Sequence, residues 1–281
     1  MNQNITAMVF ALNEAHRLPL IFENLKDFCK IVVFDGGSTD GTEEFCKQNG
    51  IDFIRRPTFT TNLSPDPLKW VHGKIDTGYV LHVFGAHYFP TPLLAFFSKA
   101  ANENKLDAVY HDVVIYRYGG VVHRPPIRRI SSGCNFYRKS SVKYENYIIH
   151  NELGLEFNQN TMVRLPGRDE LSLHLFQDED CESYTKKTIS YAAAEARHRF
   201  ARGERVTFTG ILLKPIRRFI YQYIRAGSFL YGSRGLAYAT MNLIYDINMS
   251  IIIWELENEL TLLDAVQKND AKKRHFLQKK N

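Results

Sequence analysis

Two short apolar runs, each ending in a polar or glycine-rich loop, constrain this chain more than any other feature. Residues 5–12 (ITAMVFAL) give way to Asn13 and Glu14, and residues 30–35 (KIVVFD) run into GGSTDGT at 36–42. Between them Leu18, Ile21, Phe22 and Leu25 recur at helical spacing. The pattern is therefore strand, helix, strand, and runs this apolar suit strands buried on both faces of a parallel sheet. It continues with a helix over 42–48, a strand over 51–54, a helical segment over 68–74 and a strand over 79–84. Such alternation predicts an α/β fold with a doubly wound, mainly parallel sheet flanked by helices. Ligands of these sheets bind beyond the carboxyl ends of the strands, so the loops at Asn13, Asp35 and Phe84 are expected to converge on a cleft.

The stretch FDGGSTDGT at 34–42 has a chemical logic of its own. Asp35 ends a strand at the expected rim, where a carboxylate can accept hydrogen bonds from a base or ribose, and Gly36 and Gly37 let backbone approach a ligand. Ser38, Thr39 or Asp40 can cap the next helix. Taken alone, the same residues describe an ordinary strand, turn and helix.

Asn13-Glu14 followed at 33–42 by VFDGGSTDGT resembles the opening of family 2 glycosyltransferases, where Asn-Glu and a Val-Asp-x-Gly-Ser-x-Asp-Gly-Thr signature recur. The likeness continues, more weakly and in the same order, in FYRK at 136–139, IHNE at 149–152, YTKK at 184–187 with Tyr191, Glu195 and Ala196, KPIRRF at 214–219 and GSRGL at 232–236. These blocks are similar to those of bacterial enzymes that build lipopolysaccharide core and related surface glycans. The resemblance implies a GT-A, Rossmann-like catalytic domain over 1–200, with a C-terminal helical region from 201 to 281 facing a membrane or another subunit. It also implies inverting transfer of a sugar from a nucleotide-sugar donor to a hydroxyl of a glycan or lipid-linked acceptor.

Carried over position by position, the resemblance makes Asp35 the acid that contacts the nucleotide base, with Asn13, Glu14, Gly37 and Ser38 lining the same pocket. Asp40 matches the second acid of the signature, and helix capping suits it equally well. Where the family has Leu-Asp-Ala-Asp-Glu to hold a divalent ion, this chain has VFGAH at 83–87, with no carboxylate at either metal position. Mg²⁺ or Mn²⁺ favours carboxylate and phosphate oxygens, so no protein-held cofactor is expected, and a metal arrives only if delivered with the donor. Cations must then meet the charge of the departing nucleotide. The candidates are His87, Arg56 and Arg234, with Arg55, Arg217, Arg218 and Arg225 behind them. For the base that takes the acceptor proton, Glu152 is the first choice and His150 the second, ahead of Asp178, Glu179 and Asp180. His174 reads as structural.

The formal net charge of +6 and pI near 9.0 favour anionic partners. No recognised nucleic-acid module accompanies the charge, so nucleic acid is not an expected partner. After residue 200, LLKPIRRFIYQYIR at 212–225 interleaves cations with aromatic and aliphatic residues, as an interfacial helix does. Residues 236–254 are apolar enough to raise a transmembrane reading, but Asn242, Asp246 and Asn248 make spanning costly. A packed core or subunit-facing helix is expected there, and homo-oligomerisation stays open. The charged tail, 268–281, reads as a frayed or solvated helix. Four scattered cysteines fit neither a zinc site nor a disulfide framework. The start of the chain lacks the basic and apolar regions of a signal peptide. The expected location is cytoplasmic, on the inner face of a membrane.

Overall fold

The computed structural model describes residues 1–57, 66–124, 132–144, 158, 160–177, 180–260 and 262–278, without the side chains of Asp66 and Ser132. Two compact units divide the chain, Met1–Asp178 and Glu179–Asn281.

The first unit begins with β1 (Asn2–Ala11), α1 (Leu18–Leu25), β2 (Cys29–Asp35), α2 (Thr42–Gln48), β3 (Asp52–Arg55), α3 (Asp66–His72) and β4 (Tyr79–Phe84). These agree closely with the expected elements. β1 starts earlier than the apolar run suggests, because the Asn2 side chain donates to Ser98 and Asn102 and its backbone N–H to Phe28. The unit continues with β5 (His87–Tyr88), α4 (Thr91–Glu103), β6 (Ala108–Arg117), β7 (Gly120–His123), β8 (Ser132–Arg138), β9 (Met162–Arg164) and β10 (Leu173–Gln177).

The strands form one mixed sheet in the order β3-β2-β1-β4-β8-β6-β10-β5, with β7 and β9 also paired to β6. β3, β2, β1 and β4 are parallel, as the strand-helix alternation predicts. β8 then runs antiparallel to both β4 and β6. Strand order reverses beside β1, where β4 lies on one side and β2 on the other; this is the switch point at which a cleft opens in sheets of this kind. On one face Met8, Phe34, Val71, Val80, Tyr110 and Tyr137 form a buried cluster with α3. Phe136 is stacked between Tyr79 and Phe97, with ring centroids 5.1 and 4.7 Å away. Each such buried ring contributes about 2–3 kcal/mol.

The second unit is helical: α5 (Cys181–Ala201), α6 (Gly210–Ile220), a π-helical turn (Tyr221–Arg225), a 3₁₀ turn (Ser228–Tyr231), α7 (Gly232–Glu257) and α8 (Leu262–Gln278). Asp180 caps α5 by accepting the Ser183 N–H at 2.8 Å. Ala192 and Ala196 of α5 bury against Met249 and Ile253 of α7, so the unit starts ahead of the composition change at 201. The stretch Ser228–Glu257 is long and apolar enough to cross a membrane, and it also supplies the packing centre of this unit through Tyr238, Ala239, Met249 and Ile253. α8 buries none of its side chains. The cysteines form no disulfide among the described residues.

Candidate active site

At the carboxyl ends of β1 and β2, the signature residues lace two loops together. Asp35 is fully buried, and its carboxylate accepts the backbone N–H of Gly37 (2.8 Å) and Ser38 (3.0 Å) and the Ser38 hydroxyl. Gly37 sits at φ 106°, a conformation that favours glycine. Ser38 Oγ in turn accepts the Asn13 N–H at 2.8 Å, and Asn13, itself left-handed at φ 57°, accepts the Thr39 N–H through Oδ1 at 2.8 Å. Asp40 repeats the arrangement one step on. It accepts the N–H groups of Ala15 and Thr42, each at 3.0 Å, and the Thr42 hydroxyl, while Thr42 Oγ1 accepts the Glu14 N–H at 3.1 Å. Although burial opposes it, the Thr42 and Ala15 hydrogen bonds hold the Asp40 carboxyl below its ordinary range.

Asn13, Glu14, Asp35, Gly37 and Ser38 are thus brought together, but the Asp35 carboxylate is directed into its own turn. Direct contact with a base, expected for Asp35, requires its oxygens to leave Gly37 and Ser38. Gly36, Gly37 and Asn13 are exposed, as are Leu12, Thr39 and Asp40 beside them.

Beside this turn lies a cationic and aromatic shelf. Arg56 extends the β2–β3 ladder by donating its N–H to Asp35 O (2.8 Å), and its guanidinium lies 5.0 Å from the Phe10 ring centroid. A Cβ at Gly36 would come within 2.9 Å of that guanidinium, so glycine there leaves Arg56 its place over the turn. Burial draws the Arg56 pKa downward, the Asp35 charge opposing, and its buried Nε–H has no hydrogen-bond partner among the described residues. Phe84, 47% exposed, pairs in register with Phe10 and stacks on it with centroids 5.7 Å apart. Arg55 instead pairs with Glu43 (3.2 Å) and approaches Asp35 (3.5 Å).

His87, a candidate for meeting phosphate charge, is drawn toward its neutral form by its surroundings. Its Nδ1 accepts the Phe84 N–H (3.3 Å) and faces Asn135 Nδ2 (3.5 Å). Burial, with His111 adding to it, pushes His87 down to about 3, away from the charged form. Burial likewise pushes His82 to about 3 and His111 to about 4. The cation at this edge is Arg17, which the sequence reading passed over. It holds Glu14 at 3.1 Å, and a Cβ at Gly85 would collide with that carboxylate. Arg17, Gly85, His87, Tyr88 and Phe176 line a cavity of about 620 Å³. The signals were present: Arg17 stands three residues after Glu14, and Phe84 falls where the first metal carboxylate was expected.

The donor set does not suit a hard divalent ion. Phe84, Gly85 and Ala86 offer only backbone oxygens, and Glu14 is engaged by Arg17. Among the described residues no three His, Cys, Asp or Glu side chains cluster as metal ligands.

Arg217, Arg218, Arg225 and Arg234 belong to the second unit. His174 is structural, bonded to the Tyr116 hydroxyl and to Asp169 O, each at 3.1 Å. Glu152, His150, Asp178 and Glu179 lie outside the described residues.

The sheet order and its carboxyl-edge cleft are those of a GT-A-type, Rossmann-like fold. No family model matches the chain. Among solved structures, S. aureus TarS is similar at 15% identity and a TM-score of 0.48, covering 90% of this chain and 55% of its own, so this chain spans about half of that one. TarS residues 1–349 in complex with UDP-GlcNAc is similar at 12% identity and a TM-score of 0.47, over 92% of each chain. Glucosyl-3-phosphoglycerate synthase from Mycobacterium tuberculosis, with Mn²⁺, UDP-glucose and phosphoglyceric acid, is similar at 17% identity and a TM-score of 0.34, over 40% of this chain and 44% of its own.

Proposed function

We propose that the chain is an inverting glycosyltransferase that takes a sugar from a nucleotide donor to a hydroxyl on a glycan or lipid-linked acceptor, without a protein-held metal. The observation that carries this reading is the Arg56 guanidinium, desolvated over Phe10 beside the Gly36–Gly37 turn, at the edge where a nucleotide binds in a sheet of this order. A half-buried cation whose Nε–H has no partner among the described residues favours an anion, and the outward-facing glycines leave room for phosphate to approach backbone. Asn13, Glu14, Asp35, Gly37 and Ser38 shape this cradle. Arg17, at the rim of the 620 Å³ cavity, is the second cation for the departing diphosphate. Tyr88 and Phe176 give that cavity the mixed apolar and polar lining that suits a sugar.

The acceptor oxygen bonds to the anomeric carbon as the bond from that carbon to the donor phosphate breaks. The acceptor proton passes to Glu152, which keeps that assignment from the resemblance, with His150 as the alternative. The nucleoside diphosphate leaves with the electron pair.

The test is a thermal-shift panel of UDP, GDP, CDP and their sugars, followed by donor turnover with wild type and Glu152→Gln. A ligand that binds the native state raises the melting temperature. Glu152→Gln is expected to keep donor affinity and to lower turnover by about two orders of magnitude or more. Failure of every nucleotide to bind overturns the reading. Binding without turnover by wild type reduces it to a nucleotide-binding partner of a biosynthetic complex.

A further inference from the structure

The helical unit carries a surface that sugar transfer does not use. Leu212, Ile216 and Ile220 recur every fourth residue of α6, which aligns them on one face, and Ile224 continues the row into the π-helical turn. All four are between 40% and 56% exposed, and Leu213, Phe229 and Leu230 beside them are exposed as well. The opposite side is fastened to its own unit: Pro215 and Gln222 are buried, Arg218 reaches Asp246 of α7 at 2.7 Å, and Lys214 reaches Glu204 at 2.6 Å. The row is therefore held outward by contacts on its far side.

Charge identifies what covers it. Basic and acidic residues are equal in number in Met1–Asp178, so the whole net charge of +6 falls in Glu179–Asn281. No Asp or Glu occurs between Arg205 and Tyr245, the stretch that contains the row, while Arg217 and Arg225 are exposed along it. A second copy docking isologously through this face would bring arginines against arginines. A nucleic acid would match the charge and leave the aliphatic row in water. An anionic lipid surface matches both, with acyl chains for the isoleucines and headgroup phosphates for the arginines. Spanning is a poorer solution, because the long apolar helix α7 already buries Tyr238, Ala239, Met249 and Ile253 inside the unit and holds the Asp246–Arg218 pair. We propose that α6 and the turn after it lie in the plane of an anionic phospholipid membrane, with Leu212, Ile216, Ile220 and Ile224 inserted below the headgroups. This inference stands apart from the donor-site reading and uses neither Arg56 nor Arg17.

Flotation of the full chain with liposomes tests it, using phosphatidylcholine alone against phosphatidylcholine containing about 30% phosphatidylglycerol, in about 0.1 M and 0.5 M salt. Recovery with anionic vesicles is expected to exceed recovery with neutral ones by about tenfold and to fall at the higher salt. The double variants Ile216→Glu/Ile220→Glu and Arg217→Glu/Arg225→Glu are each expected to abolish flotation with unchanged helicity, and the isoleucine pair to do so with unchanged nucleotide affinity. Brominated lipid is expected to quench the fluorescence of Tyr221→Trp. The proposal is overturned if wild type stays at the bottom of the gradient, if both double variants float as well as wild type, or if the variants dissolve a wild-type dimer without altering lipid binding.

Discussion

Asp35 ends β2 with both carboxylate oxygens accepting hydrogen bonds from the turn that follows, and none of its surface reaches solvent. Asp35→Ala leaves the Gly37 and Ser38 N–H groups without their acceptor, so it is expected to destabilise the first unit by about 2–4 kcal/mol in chemical denaturation. A folded variant of unchanged stability would show that the turn holds itself. Arg56 behaves oppositely. Its side chain makes no ion pair among the described residues and packs on Phe10, so Arg56→Ala is expected to change stability by under about 1 kcal/mol while weakening nucleoside diphosphate binding about 10- to 100-fold, the loss of one charge-assisted contact. Unchanged affinity by calorimetry removes Arg56 from the site. The sequence marks this loop, yet it could not separate these two roles. Whether the last side chain of a strand turns inward or outward depends on the turn after it, and only the Gly37 conformation and the Ser38 hydroxyl decide that for Asp35.

Elements of the first half of the sheet were legible because β1, β2 and β4 are apolar runs and α1 has clear helical spacing. The second half was not. β6 buries His111, Asp112 and Arg117 among its aliphatic residues, which breaks the apolar signal that marks a buried strand, and β5 and β9 are too short to show a period. The same buried histidines make β4, β6 and their neighbours sensitive to acid. His72, bonded to the hydroxyls of Tyr144 and Tyr137, is pushed down to about 4 by burial, as are His111 and His123. Their folded pKa values lie below the ordinary 6.5, so below that pH the unfolded chain binds protons that the folded chain refuses. The stability they allow is fully present above about pH 6.5 and is lost as pH falls toward 4, at up to about 1.4 kcal/mol per pH unit for each group. Denaturation midpoints of the full chain are expected to drop steeply between pH 7 and pH 5, and His72→Gln is expected to flatten part of that slope. A midpoint constant across this range would mean that these rings charge freely in the folded state.

Across the whole molecule the charge is partitioned: the sheet unit is balanced, and the excess lies in the helical unit. In the proposed transfer a doubly charged leaving group at the sheet edge would meet no general positive field from its own unit and would depend on particular cations. Fixed, desolvated cations can stabilise such a group without a metal, because the low local dielectric strengthens them and they need little reorganisation as charge develops. Arg56 over Phe10 and Arg17 beside Gly85 are two such candidates at the described edge, and the chain places Phe84 and Ala86 where metal carboxylates were expected. Turnover by the full chain is accordingly expected to persist in excess EDTA, to gain nothing from Mn²⁺ or Mg²⁺, and to fall when Arg17 or Arg56 is replaced by Ala. The Arg-to-Lys variants should recover only part of the loss, since an ammonium cannot reproduce a planar guanidinium stacked on an aromatic ring. Loss of turnover on chelation with recovery on Mn²⁺ would reverse the conclusion. Glu14 would then be the first side chain to examine as a ligand, because it alone places a carboxylate against the Gly85 turn among the described residues, and it would have to release Arg17 to bind an ion.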